Sequence, residues 1–216
     1  MVAVHGGGRA LASSPLTNNN PWSGSRELFR VTDRTRPSPE APSLRTDRLI
    51  LRQPRPGDEL SLTAIRNLPR VLAALNKTEL TVDAMRASLE EVPAKAESAV
   101  EYSAVIEIAA TGAVIGMVRL ESVHPTGTAS LTVWIGHDQR ERGCGMEACR
   151  EMVRWGFEEL QLETLFADVI GTNGAARSLV RRLGFEQVST EQRGAQQVTT
   201  FHLRRQAWAA TMSLGR

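Results

Sequence analysis

The sequence predicts an α/β fold built on a mixed, mostly antiparallel sheet flanked by helices. Three observations predict it. Two apolar runs, Tyr102–Ala109 and Ala113–Val123, are joined by Thr111-Gly112, a hairpin signal that implies antiparallel pairing. A third run, Ala129–Ile135, follows the turn residues Pro125-Thr126-Gly127 and extends the hairpin to a three-strand meander. After it the apolar period switches to helix, to strand and to helix again, so a strand–loop–helix–strand–helix unit supplies a ligand site.

Taken in order, residues 1–43 carry no strand or helix period. Five of the ten prolines lie there (Pro15, Pro21, Pro37, Pro39 and Pro42), with Gly6-Gly7-Gly8 and Asn18-Asn19-Asn20 between them. The segment reads as a disordered extension. A transit peptide is the rival reading, because residues 1–26 lack acids and carry serines, but only Arg9 and Arg26 are basic there and no amphipathic helix is visible. From Leu44 the texture changes, and a domain is expected over residues 44–210 with a short tail at 211–216. Asp47–Arg52 reads as a strand stopped by Pro54 and Pro56. Asp58 is placed to cap one helix running to Leu75, and Thr81 a second over about 81–92.

The later elements are as clear. Met146, Cys149, Val153, Phe157 and Leu160 fall on one helical face. Leu165–Ile170 reads as a buried strand, and Ala176, Leu179, Val180 and Leu183 mark a helix that ends at Gly184. Phe185–Ser189 and Gln197–Leu203 read as a closing hairpin.

Composition limits the function. The formal charge is +2, and residues 1–43 account for all of it, with Arg9, Arg26, Arg30, Arg34 and Arg36 against Glu27, Asp33 and Glu40. The remaining neutral domain lacks the basic stripe of a nucleic-acid binder. No apolar run reaches the 18 or so residues of a membrane span. Cys144 and Cys149 are the only cysteines, and they match neither a disulfide framework nor a zinc knuckle. No metal and a reduced, cytoplasmic setting are therefore expected.

The stretch Arg140-Glu141-Arg142-Gly143-Cys144-Gly145-Met146-Glu147-Ala148 looks built to hold an anion. A helix N-terminus offers unpaired N–H groups and about half a positive charge, and glycines let the backbone close on a diphosphate. Gly143–Ala148 fits the G-x-G-x-x-A of a dinucleotide site, with Glu163 at the spacing of the ribose-binding acid. Yet His137–Arg142 intervenes between the strand and Gly143, where that fingerprint wants a tight turn. The preceding strands are read as antiparallel, and no second βαβ half follows. The rival pattern, Arg140-x-x-Gly143-x-Gly145, fits the R/Q-x-x-G-x-G/A loop of acyl-coenzyme A transferases.

With that loop stand L-R-T-D-R-L-I-L-R at 44–52, V-W-I-G at 133–136 and N-G-A-A-R-S-L-V-R-R-L-G-F at 173–185. In order and spacing these resemble the GNAT superfamily of N-acetyltransferases, most closely the branch with the ribosomal-protein N-terminal alanine acetyltransferases. The resemblance implies a GNAT-like sheet with splayed central strands, and acetyl-coenzyme A as cosubstrate. It implies that Arg140, Glu141, Arg142, Gly143, Cys144, Gly145 and Met146 wrap the pyrophosphate. Backbone groups at Trp134 and Ile135 hold the pantetheine arm, Asn173 helps to hold it, and Arg177 approaches the nucleotide phosphate. Acetyl transfer then goes directly to a primary amine, on a peptide N-terminus or a small molecule, in a monomer or homodimer.

Plain readings stand beside these. Asn173 is a natural helix cap, Arg177, Arg181 and Arg182 suit a solvated face, and Cys144, though at a helix start where thiols acidify, serves as a spacer. Departures from the family also matter. Val180 stands where many members carry a tyrosine acid, Ala176 where the branch often has a serine, and Ser130 where a glutamate is common. Glu107, Glu121, His137 and Asp138 are the candidates left for acid–base work, unranked. Tyr102, the only tyrosine, is expected to be structural. The missing acid and base keep an alternative in view, a catalytically inactive acyl-coenzyme A-binding sensor or interaction module. Removing residues 1–43 is expected to leave melting temperature and acetyl-coenzyme A affinity nearly unchanged, since the segment has too little apolar patterning to dock. A large drop in melting temperature would show that it packs.

Overall fold

Period-two alternation along the strands sorts the apolar side chains onto two faces of one sheet. The structure, a computed structural model, describes residues 42–136, 143–171 and 173–214, with side chains through residue 210. The strands are β1 (Leu44–Arg45), β2 (Leu49–Arg52), β3 (Glu101–Ile108), β4 (Val114–His124), β5 (Thr128–Ile135), β6 (Thr164–Ile170), β7 (Glu186–Arg193) and β8 (Gln196–Arg204). They lie in the order β1-β2-β3-β4-β5-β6-β8-β7. Every neighbouring pair is antiparallel except β5–β6. The helices are α1 (Asp58–Arg66), α2 (Pro69–Leu75), α3 (Val82–Glu90), α4 (Val92–Glu97), α5 (Cys144–Glu158), α6 (Gly174–Arg182) and α7 (Arg205–Leu214).

One face is the main core. Tyr102, Ala104 and Ile106 of β3, Val118 and Leu120 of β4, Leu131 and Ile135 of β5 and Leu165 and Ala167 of β6 meet the buried stripe of α5, with Val180 of α6 and Trp208 of α7. The predicted stripe on α5 is present: Cys149, Val153 and Phe157 are buried, and Met146 and Leu160 pack at its margins. The opposite face holds a smaller cluster in which Leu62 of α1, Val71 of α2 and Met85 and Leu89 of α3 meet Val105, Met117 and Trp134.

One expected helix is divided by a proline, and the next ends close to where it was expected. The single helix expected from Asp58 to Leu75 stops at Arg66, because Pro69 forces Leu68 into extended backbone (ψ 132°). The helix expected over 81–92 ends at Glu90, and Pro93 sits in the first turn of α4. Thr81 caps α3 as expected, its hydroxyl accepting from the Ala84 N–H at 3.2 Å. Asp58 does not cap α1, whose first turn is preceded by Gly57 at φ 99°. The edge strand β7 runs to Arg193, longer than expected, and α7 was not foreseen at all. Trp208 anchors α7 by packing against Phe157, with ring centroids 6.4 Å apart. Pro42, within the predicted extension, is already buried, so a truncation is best ended at residue 41.

Asp58 is occupied instead by a buried charge cluster. Arg52 donates to Asp58 through Nη1 at 2.7 Å and Nη2 at 3.0 Å, and through Nε to Glu107 at 2.5 Å. The Arg55 backbone N–H adds a contact to Asp58 at 2.7 Å. Burial opposes the charge on Asp58, but the donors from Arg52 and Arg55 outweigh it and hold the carboxyl below its ordinary range. A depressed pKa means the stabilisation is present above the unfolded carboxylate pKa of about 4 and is lost as pH falls below it. Arg52→Met, which leaves two carboxylates facing each other in the interior, is expected to cost about 3–5 kcal/mol in chemical denaturation at neutral pH. The deficit should shrink below about pH 4, where the wild type loses the stabilisation that Asp58 supplies.

Candidate functional site

Among the described residues one pair of the sheet is parallel, and it is joined along only part of its length. β5 and β6 are matched at Thr128–Thr164, Ala129–Leu165 and Ser130–Phe166, and among the described residues no further rung joins them. Beyond that row β6 stays paired to β8 as far as Ile170, and β5 stays paired to β4 as far as Ile135. The two strands therefore part, each held from its outer side. Leu131 to Trp134 on one strand and Ala167 to Val169 on the other border a slot whose walls are backbone.

The neighbour of β5 is shaped to keep it in place. Gly116 of β4 lies opposite Ile135, and a Cβ there would stand 2.1 Å from the Trp134 carbonyl oxygen and 2.8 Å from the Ile135 Cα. Only a glycine permits that approach. Between Ile106 and Glu107 the β3–β4 register shifts, which places a bulge in the same stretch. Trp134 and Ile135 are buried on opposite faces, so each offers the slot backbone and not side chain.

At the end of β5 the chain passes through residues 137–142 to α5. His137, Asp138, Arg140, Glu141 and Arg142 lie outside the described residues. Gly143 is left-handed at φ 77°, and among the described residues no side chain caps α5. The first N–H groups of a helix have no intrahelical acceptor, so those of Cys144, Gly145 and Met146 are available at this end. A Cβ on Gly145 would sit 3.4 Å from Leu179 and 3.6 Å from Ile135, so this glycine packs α5 closely against β5 and α6. Cys144 is buried.

The β1–β2 turn braces the same terminus. Glu147, in the first turn of α5, accepts from the Thr46 hydroxyl at 2.5 Å, the Arg48 backbone N–H at 3.1 Å and Arg48 Nε at 2.7 Å. Burial works against its charge, and these donors outweigh it and lower the carboxyl's pKa. Arg48 thereby stands 3.7 Å from where a Cβ of Gly143 would be, a cation beside the loop that the sequence reading did not assign. On the far side of the slot, Asn173 caps α6, its Oδ1 accepting from the Ala176 N–H at 3.1 Å. Arg177 is half-buried one turn along, while Arg181 and Arg182 are exposed.

The acid–base candidates separate. Glu107 is held by Arg52. Glu121 shares the α1 face with Trp134 and accepts from the Thr132 hydroxyl at 3.0 Å, across the strand that borders the slot. Asp168 of β6 points to the same face and takes the Thr200 hydroxyl at 2.7 Å and Arg193. It was missed in the sequence, although its outward phase between the buried Ala167 and Val169 was readable. Tyr102 is buried edge-on to Trp155, centroids 5.1 Å apart. Trp155 lies eleven residues beyond Cys144 on α5, about 16 Å along the axis, so the phenol is remote from the helix start. Glu163 follows the C-terminal end of α5 and pairs with Arg205, so it cannot serve a ligand held at the N-terminus. Among the described residues no three metal-binding side chains converge, and no helix is long and apolar enough to cross a membrane.

Comparison with known proteins adds to this geometry. The family model described as an acetyltransferase (GNAT) domain matches residues 48–186. Among solved structures, a ribosomal-protein-S5-alanine acetyltransferase from Vibrio fischeri aligns with a TM-score of 0.70 and 14% identity, covering 77% of this chain and 98% of that one. A spermidine N-acetyltransferase from Vibrio cholerae, solved with CoA and spermine, aligns with a TM-score of 0.67 and 17% identity over 76% and 99%. A nucleotide-linked sugar GNAT gives 0.69 and 16% over 81% and 96%. No curated protein matches the sequence.

Gly116→Ala should force β4 away from Trp134 and destabilise the protein by about 1–3 kcal/mol, measured by denaturant unfolding. Gly174→Ala, where a Cβ meets nothing within 4 Å, should be neutral or slightly stabilising. Equal effects from the two would refute the close approach.

Proposed function

The chain belongs to the acetyltransferase (GNAT) domain family, and we propose that it transfers an acetyl group from acetyl-coenzyme A directly to a primary amine. The observation that carries the proposal is the parting of β5 and β6 beyond Ser130 and Phe166, with the uncapped end of α5 beside it. An extended arm bearing amides can add to the exposed edge of a strand by main-chain hydrogen bonds, as a peptide does in strand addition. The pantetheine arm of coenzyme A is such a chain. Its diphosphate would then meet the N–H groups at the start of α5, where helix polarity favours an anion. In this reading Trp134 and Ile135 contribute backbone, Gly143, Cys144, Gly145 and Met146 the helix start, Arg140, Glu141 and Arg142 the preceding loop, and Asn173 and Arg177 the opposite wall.

The chemistry asks little of the protein. The neutral amine attacks the thioester carbonyl carbon, a C–N bond forms, the C–S bond breaks, and the amine's proton passes to a base directly or through water. An unperturbed α-amino group has a pKa near 7.7–8.0, so a useful fraction is neutral at pH 8. Glu121, beside Thr132 at the slot, is the described candidate best placed to receive the proton. Val180, where many relatives carry a tyrosine, is buried, so the leaving thiolate would be protonated by solvent or by the acceptor's own proton.

The test is an acceptor screen that reads free thiol, run over peptide N-termini, polyamines and small amines at pH 8. Amine-dependent thiol release is expected. Binding of acetyl-coenzyme A with no release from any acceptor would favour the inactive binding module. Gly145→Asp, which sets a carboxylate at the helix start in competition with the diphosphate, should weaken acetyl-coenzyme A binding at least tenfold, measured at a temperature where the variant is folded. Undiminished binding would place the diphosphate elsewhere.

A further inference from the structure

Arg66 and Arg119 form a pair of underused cations on the α1 face of the sheet. Arg66 closes α1, one turn beyond Leu62 and on the same stripe, so it faces the sheet beside Met117 and Trp134. Its neighbour Ile65 lies 3.8 Å from where a Cβ of Gly136 would be, which sets this last turn of α1 at the open end of the slot. The Arg66 Nη1 atom is buried with no hydrogen-bond partner, and no ion pair joins Arg66 to any described residue. Burial and then the charge of Arg119 both work against the charge on Arg66. Arg119, on β4 opposite Thr132, is itself poorly matched. Its closest contacts are to the Met117 sulfur at 3.1 and 3.3 Å, with Glu121 at 3.5 Å and Glu101 at 3.7 Å. Glu121 and Glu101 accept shorter bonds from Thr132 at 3.0 Å and Ser103 at 2.6 Å.

A half-buried guanidinium without a partner costs free energy, and a second one nearby raises that cost. The missing component is an anion. A carboxylate suits the planar fork of a guanidinium, which can bind it through two parallel N–H donors. Residues 119 and 121 are two apart on one strand, so their side chains rise on the same face about 6.8 Å from each other. A ligand with its amine toward Glu121 and its carboxylate toward Arg119 and Arg66 would therefore be short.

We propose that Arg66 and Arg119 bind a carboxylate of the acceptor, so that the amine acetylated here belongs to an amino acid or to a short peptide with an acidic group near its N-terminus. The proposal rests on the acetyltransferase reading above and narrows its acceptor class.

The test uses matched acceptors: alanine, β-alanine, glutamate and the Ala-Glu dipeptide, each against its carboxamide. At least one carboxylate acceptor should show kcat/KM tenfold or more above its amide. Arg66→Gln should erase that preference through KM, with acetyl-coenzyme A affinity unchanged. Because Arg66 has no partner to lose, this variant should melt at the same temperature or higher. A preference for amides or polyamines, or a carboxylate preference that survives both Arg66→Gln and Arg119→Gln, would overturn the proposal. Calorimetric titration of N-acetyl-glutamate in the presence of coenzyme A gives a reading independent of turnover. Binding that weakens at least tenfold in Arg66→Gln supports the carboxylate site even if no acceptor turns over, in which case only the acetyltransferase reading fails. Absence of binding in the wild type, together with no carboxylate preference in turnover, counts against the site.

Discussion

Parallel strands cannot be joined by a tight turn, and this constraint organises the whole site. β5 and β6 are the only parallel neighbours among the described strands, so the chain must leave the end of β5, cross over the sheet as α5 and return at the start of β6. The crossover necessarily begins where β5 ends. That puts the unpaired N–H groups of a helix next to the place where the two strands have already separated. An anion site and a slot lined by backbone thus arise together from one topological choice. Gly116, the bulge beside it and the Thr46–Arg48–Glu147 brace then hold the two strands and the helix start in register.

Much of this was legible in the residues. The meander and the helix–strand–helix that follows it were readable because apolar period changes sharply at Pro125–Gly127 and again after Ile135. The helix expected from Asp58 to Leu75 was misread because the apolar stripe continues through Pro69, and period alone does not register a missing N–H. The closing helix escaped notice because only Trp208 among its described side chains is buried, and one residue makes no pattern. The glycine loop was readable because its chemistry is local. The relation of Arg66 to Arg119 was not, because it depends on how α1 crosses β4, and no spacing along the chain encodes that. Asp168 lay between these cases: the phase of its strand was visible, but not what lay across from it.

The two faces of the sheet divide labour along the same lines. The α5 face is apolar from Tyr102 to Phe201 and carries most of the packing. The α1 face is mixed. A buried ion cluster at Arg52, Asp58 and Glu107 stabilises one end of it, where every charge has a partner. Toward the slot the same face holds Arg66 with a buried nitrogen unmatched and Arg119 in long contacts, and such imperfect matching is what a protein tolerates where a ligand completes the set.

The two cysteines carry a practical consequence. Both are free and buried, and burial pushes the Cys149 thiol up to about 12, so it stays protonated at any pH used for assay. The folded protein should therefore be nearly silent toward a thiol-reactive dye, and colour developed during turnover reports released coenzyme A alone. Unfolding would expose both thiols at once. The same reagent, used without substrate, then counts the unfolded fraction of a variant in the very tube where its activity is measured.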